Sequence, residues 1–254
     1  MKSKNTLNNN DSTSLANKNL PKQIIQDLDE PIQGNHYPIK FFELKTYNST
    51  EFPLEADKDK YFALIKGKEF SLKQIDIKFK KVFDANVDKD TLKDKSGTEA
   101  FFQSKEKDTV LFIAKNQKEI PIRSGLKSLK IQKVIKPGDK FEYEFEGIKY
   151  QLYAIGDANK DKKLKYPFVN YKLYFTAEVE GKKIGQTIIE KMYFDDKLPQ
   201  IIFAGDIDGD QKLDFLINTS FEKDAQNPTL FLSKTAPTGS LLQVAGMKLT
   251  NTGF

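Results

Sequence analysis

Apolar and charged residues alternate one by one over long parts of this chain, and that pattern constrains the fold more than any other feature. Phe141-Glu142-Tyr143-Glu144-Phe145-Glu146 alternates throughout, and Ile148-Lys149-Tyr150-Gln151-Leu152-Tyr153 resumes the pattern after Gly147. Successive side chains of a strand point to opposite faces, so a period of two buries one face and wets the other. With a glycine at the join, the pair reads as a hairpin. Tyr61–Ile65 with Glu69–Leu72, Thr109–Ala114 with Glu119–Ile122, and Tyr171–Val179 with Thr187–Phe194 read as further pairs, followed by strands at Leu230–Leu232 and Leu241–Val244. Only Leu20–Leu28, with Pro21 suited to a first turn, could form a short helix. The expected fold is mostly β, an antiparallel sandwich, meander or open barrel built from hairpins with little helix.

Three regions are expected along the chain. Residues 1–20 are rich in Asn, Lys, Ser and Thr and cannot support a core, so they read as a disordered tether. They hold no apolar stretch of the signal-peptide kind, and Met1 could stand where a leader has been removed from a secreted protein or lipoprotein. An N-terminal β-rich region over 21–136 and a C-terminal one over 137–254 follow, joined at the turn signal Pro137-Gly138, and the two could form one continuous domain.

Composition excludes several function classes. The 254 residues carry a formal charge of +5, but Arg123 is the only arginine. Phosphates and base edges are read preferentially by the guanidinium fork, and the lysines here are scattered among acids, so nucleic acid is not an expected partner. No apolar run approaches the roughly 18 residues that cross a bilayer. The absence of cysteine removes disulfides, thiolate metal sites and cysteine nucleophiles.

Between the apolar runs Ile201-Ile202-Phe203 and Leu216-Ile217 lies Asp206-Ile207-Asp208-Gly209-Asp210-Gln211-Lys212-Leu213-Asp214, with acids at positions 1, 3, 5 and 9 of one tight loop. So much like charge is hard to hold without a cation, and Ca2+ suits it because it takes six to eight oxygen ligands at flexible geometry. The expected ligands are Asp206, Asp208, Asp210 and Asp214, with Lys212 offering its backbone carbonyl and Gly209 permitting the sharp turn. The stretch 202–215 resembles the calcium loop of FG-GAP and VCBS repeats and, more distantly, of dockerins. In those families the acids at 1, 3, 5 and 9 and the carbonyl at 7 bind calcium between two strands. A many-bladed propeller is not implied, because one such loop in a chain of this length cannot supply the blades.

An upstream stretch, 154–166, echoes the loop. Gly156, Asp157, Asn159, Asp161 and Leu164 match Gly205, Asp206, Asp208, Asp210 and Leu213, whereas Lys165 replaces Asp214 and Lys160 replaces Gly209. Asp157, Asn159 and Asp161 are therefore candidate ligands of a weaker site, unless Lys165 neutralises the acids instead. A third stretch, Asn86–Asp94 with Asp84 before it, has the oxygens but no glycine, and reads as a solvated loop.

Catalytic constellations are thin. Glu142, Glu144 and Glu146 share a strand face, with a spacing compatible with glycoside hydrolysis, yet nothing else in the chain points to that chemistry. His36 is the only histidine and no Gly-x-Ser-x-Gly elbow partners it. Tyr166, Phe168, Tyr171, Tyr174 and Tyr193 could offer a glycan platform, although tryptophan is absent. The expected protein is a calcium-binding one of binding or structural type, with a glycan or protein partner at the cell surface. It would be secreted, periplasmic or lipid-anchored, where abundant calcium makes weak sites useful. The alternatives are a glycan hydrolase with calcium as structural support, and an accessory subunit of a surface or secretion complex.

Overall fold

The alternating segments pair as antiparallel strands, without any α-helix among the residues described by this computed structural model, which are 37–251 apart from 54–55, 57–59, 92, 104–107, 116–119, 161–167, 180, 194–196, 223–224 and 249. The expected tether, the short helix at 20–28 and His36 lie outside the described residues. No helix among the described residues is long and apolar enough to cross a membrane.

One sheet contains β8 (Lys140–Phe145), β9 (Ile148–Ala158), β10 (Phe168–Val179) and β11 (Lys182–Lys191), in the order β11-β10-β9-β8. Its edge hairpin sets Glu142 opposite Gln151 and Glu144 opposite Lys149. Glu146 and Gly147 turn the chain at φ 50° and 78°, both left-handed, as a two-residue type I′ turn requires. Glu146 is thus a turn residue and does not share the strand face with Glu142 and Glu144; it ion-pairs with Lys127 at 2.7 Å.

A second sheet runs β12 (Gln200–Gly205), β13 (Asp214–Asn218), β15 (Pro228–Leu232), β16 (Gln243–Met247). The third is ordered β1 (Phe41–Phe42), β7 (Thr109–Lys115), β3 (Tyr61–Lys66), β4 (Phe70–Ile75), and the fourth β2 (Thr46–Tyr47), β6 (Gly97–Phe101), β5 (Lys78–Val82). A small ladder joins β14 (Ala225–Gln226) to β17 (Thr250–Asn251). None of the sheets closes into a barrel.

Side-chain parity explains how the sheets stack. On β13, Phe215 and Ile217 enter one apolar cluster with Tyr150, Leu152, Leu173 and Phe175 of the first sheet. Leu216 between them enters another, with Phe62, Leu64 and Phe112 of the third sheet. The third sheet repeats the device: Ala63, Ile65 and Ile113 turn away from that cluster toward Tyr47 and Ala100 of the fourth. The order is therefore a sandwich-like stack of four layers whose middle two are apolar on both faces. Each fully buried Phe or Leu contributes about 1.5–3 kcal/mol. The cluster around Leu216 draws on residues from both sides of Pro137-Gly138, and the Ile39 amide donates to the Ala245 carbonyl at 2.9 Å.

The described part of the expected strand Glu119–Ile122 does not pair with β7, whose two sides are taken by β1 and β3. Pro121 has no N–H to give a ladder. Residues 120–135 instead form a strap across the sheets. Arg123 exchanges backbone hydrogen bonds with Leu72 at 2.8 and 3.0 Å, and Leu126 donates to Phe70 at 2.9 Å. Further on, Leu129 donates to Ala204 at 2.9 Å and Ile201 donates to Lys133 at 2.8 Å, covering the open edge of β12. Gly205 makes this crossing possible, since a Cβ there would lie 2.3 Å from the Lys127 carbonyl oxygen.

Candidate metal centre

The acidic loop connects β12 to β13 at the end of the second sheet, just where the strap crosses. Carboxylate oxygens of Asp206, Asp208 and Asp210 all lie within 4.8 Å of one another, and these are the residues among those described that could hold a metal ion together. Asp206 is 4% exposed and Asp208 1%, so the cluster is drawn inward rather than displayed. Its own backbone shapes it. Gly209 donates to Asp206 Oδ1 at 2.7 Å, Asp210 to Asp208 Oδ1 at 3.3 Å and Lys212 to Asp210 Oδ1 at 2.9 Å. Gly209 sits at φ 87°, in the left-handed region expected of it.

Electrostatics within the loop are uneven. Burial pushes the Asp208 carboxyl up to about 6, with the charges of Asp210 and Asp206 adding and amide donors from Lys234 and Asp210 opposing. Burial acts the same way on Asp210, but donation from Lys212 and Ser233 outweighs it and holds that carboxyl below the usual range. The Lys212 ammonium reaches Asp210 Oδ2 at 3.1 Å. The loop thus retains negative charge that its neighbours only partly offset.

Asp214 stands apart from the three. It is fully buried beneath the loop, its Oδ2 accepting from the Ile207 and Asp208 amides at 2.7 and 3.1 Å. Its Oδ1 accepts from the Ser233 amide and hydroxyl, both at 2.8 Å. Burial, then the Asp208 charge, raises its carboxyl well above the ordinary value. Through these bonds Asp214, which spacing marks as a ligand, ties the loop to the start of the chain beyond β15. Tyr150 braces the same end from the first sheet, its hydroxyl 3.4 Å from the Leu213 amide and its ring stacked on Phe175 at 5.2 Å.

Sequence reasoning missed Arg123. From the strap, its Nη1 donates to Asp206 Oδ2 at 3.2 Å, its Nη2 lies 3.0 Å from Oδ1, and Nη2 also donates to the Asp206 carbonyl. The available signal was compositional: a single arginine in a lysine-rich chain. Ser233, whose hydroxyl also lies 3.0 Å from Asp210 Oδ1 as an acceptor alternative to Asp214, carried no signal at all.

Among the described residues, the other candidates are not assembled in this way. Asp157 is exposed at the end of β9 and accepts from Asn170 Nδ2 at 2.7 Å, Asn159 is half-buried beyond it, and Asp161 lies outside the described residues. In the third stretch the acids cap their own turns: Asp84 accepts from the Ser49 and Asn86 amides, Asp88 from Asp84 and Ser96, and Asp94 from Lys89 and Asp90. Of the aromatic candidates, Tyr171 is core, donating to the Ile135 carbonyl at 2.9 Å, while Tyr174 stacks on Tyr153 at 4.8 Å on the outer face of the first sheet. Tyr193 is 55% exposed and Tyr166 lies outside the described residues. Beside the tyrosine pair, a groove of about 420 Å³ is lined by Glu142, Glu144, Lys149, Gln151, Thr176 and Glu178 among others.

Comparison with protein-family models, with curated proteins and with solved structures finds no match to the chain.

Proposed function

We propose that the protein is a calcium-stabilised, extracytoplasmic binding protein in which the cation locks the turn between β12 and β13. The observation that carries this reading is the convergence of Asp206, Asp208 and Asp210 within 4.8 Å. The donor set fits the ion: hard oxygens only, on a loop able to adjust, where Mg2+ would demand a near-ideal octahedron. Charge supports it too: burial pushes Asp208 up to about 6, the charges of Asp210 and Asp206 add to the rise, and a divalent cation would offset both. Asp206, Asp208 and Asp210 would hold the ion together with the Lys212 carbonyl, leaving further positions for water or for Asp214. The chemistry supplied is structural: the cation stabilises the native state by about 1.4 kcal/mol at tenfold excess over its dissociation constant. The modest affinity expected of a loop that already carries its own cations suits an extracytoplasmic setting, where calcium is abundant.

The partner-binding part of the reading rests on the outer face of β8–β11, where donors and acceptors of both signs line a groove beside the stacked tyrosines. Such a balanced, hydroxyl-matching surface favours a neutral glycan over a polyanion. Calorimetry and melting with calcium or chelator test the ion. Wild-type protein is expected to take up calcium and melt higher with it, and Asp206→Ala and Asp210→Ala to lose both responses. Unchanged melting and uptake in the two variants would sink the calcium reading.

A further inference from the structure

Arg123 is the one guanidinium in a chain whose other cations are lysines, and it is spent on the acidic turn. Its backbone is fixed by two hydrogen bonds to Leu72 on β4, so the side chain must cross from the third sheet's edge to the second. There it takes both oxygens of one carboxylate and the same residue's carbonyl. The Asp206 side chain is only 6% exposed and the Arg123 side chain 29%. Nε is buried with no acceptor. Orphaning that nitrogen is unfavourable, and a fork-shaped pairing with a desolvated carboxylate is the interaction strong enough to offset it. Lysine could not reproduce the fork.

We infer that Arg123 is the resident counter-cation of the turn: it latches the strap to Asp206, and a divalent cation must compete with it for that carboxylate. The latch itself is independent of any metal, whereas the competition rests on the calcium reading given above. Two consequences of opposite sign follow. Without the guanidinium, the ion-free protein loses its neutralising partner and the strap loses its anchor. The same loss removes a positive charge from beside the metal position, so calcium binds more tightly. Linkage makes the effect reciprocal, and couplings of this kind amount to about 5–150-fold in affinity.

The test uses the full chain as wild type, Arg123→Gln and Arg123→Lys, melted in EDTA and titrated with calcium by calorimetry. In EDTA, Arg123→Gln is expected to melt lower by roughly 5 °C or more, and Arg123→Lys to recover part of that loss. In calcium, Arg123→Gln is expected to bind at least fivefold more tightly than wild type, with Arg123→Lys between them. A merely structural arginine would lower the melting point and leave affinity equal or weaker, and that result overturns the competition. An unchanged melting point in EDTA overturns the latch. Should no protein of the set take up calcium, the calcium reading fails alone, and the latch is decided by the EDTA melts and a double-mutant cycle with Asp206→Asn. Should Arg123→Gln not fold, Arg123→Lys carries both readouts.

Discussion

Asp214→Ala is expected to cost more stability than loss of any other acid in the turn, and to do so with or without calcium. The carboxylate accepts four hydrogen bonds, from the Ile207, Asp208 and Ser233 amides and the Ser233 hydroxyl, at distances between 2.7 and 3.1 Å. The hydroxyl can rotate toward Asp210, but the three amides are fixed by backbone and would be left without acceptors where the replaced side chain was 0% exposed. Each orphaned donor costs about 1–3 kcal/mol. Part of this is returned, because Asp214 is itself strained by burial and by the Asp208 charge, which raise its carboxyl well above the ordinary value. A net loss of about 3–4 kcal/mol is the expected outcome, within the range for breaking a buried polar network. Urea unfolding in EDTA measures it, read at constant m-value so that the denatured state is held fixed. A loss below about 1 kcal/mol, or one that appears only when calcium is present, would refute this tie and place Asp214 among the ligands.

Acid pH supplies a second test of the loop. The folded Asp208 carboxyl stands at about 6 against an ordinary 3.8, so the native state binds its proton more tightly than the unfolded chain. In EDTA, the Asp208 contribution to stability is therefore expected to be fully present below about pH 4 and to be lost as pH rises through about 6. The effect is at most about 3 kcal/mol, and urea midpoints of Asp208→Asn should lose this component. Gly205→Ala would drive a Cβ to 2.3 Å from the Lys127 carbonyl; hydrogen exchange is expected to show the Leu129 and Asp206 amides opening as the strap lifts off β12. Tyr150→Phe removes the hydroxyl 3.4 Å from the Leu213 amide but keeps the ring stack on Phe175, so a loss of no more than about 1 kcal/mol is expected by thermal melting.

What the sequence made legible is what short-range physics decides. The Phe141–Tyr153 hairpin was readable because alternation and a glycine turn are both local, and the loop at 206–214 because its acids and Gly209 lie within one turn of chain. Strands β5 and β6 were not: Lys78-Phe79-Lys80-Lys81-Val82 buries too little to look like a strand until Phe79 meets the core beneath it. Stacking order was equally hidden. Phe215, Leu216 and Ile217 read only as an apolar run, and nothing nearby in sequence says which face meets which sheet. That run also explains where the Asp214 side chain points. A strand apolar on both faces has no wet side at its start, so its first carboxylate is turned under the loop instead of into the ion site.

The same distinction governs the centre as a whole. Three acids of the turn come together by local chain geometry, but the groups that set their charge arrive from far away: Arg123 from the strap, Ser233 and Lys234 from beyond β15. Any affinity of the loop for a cation would therefore not be a property of its nine residues alone. It depends on how the strap seats across β12, which Gly205 permits and the Arg123–Asp206 pair holds. Changes at Lys127, Ser128 or Gly205 are accordingly expected to shift calcium affinity without touching a ligand. Calorimetric titration of Gly205→Ala against wild type settles this point: unaltered affinity in a variant whose strap has lifted would uncouple the loop from the layers around it.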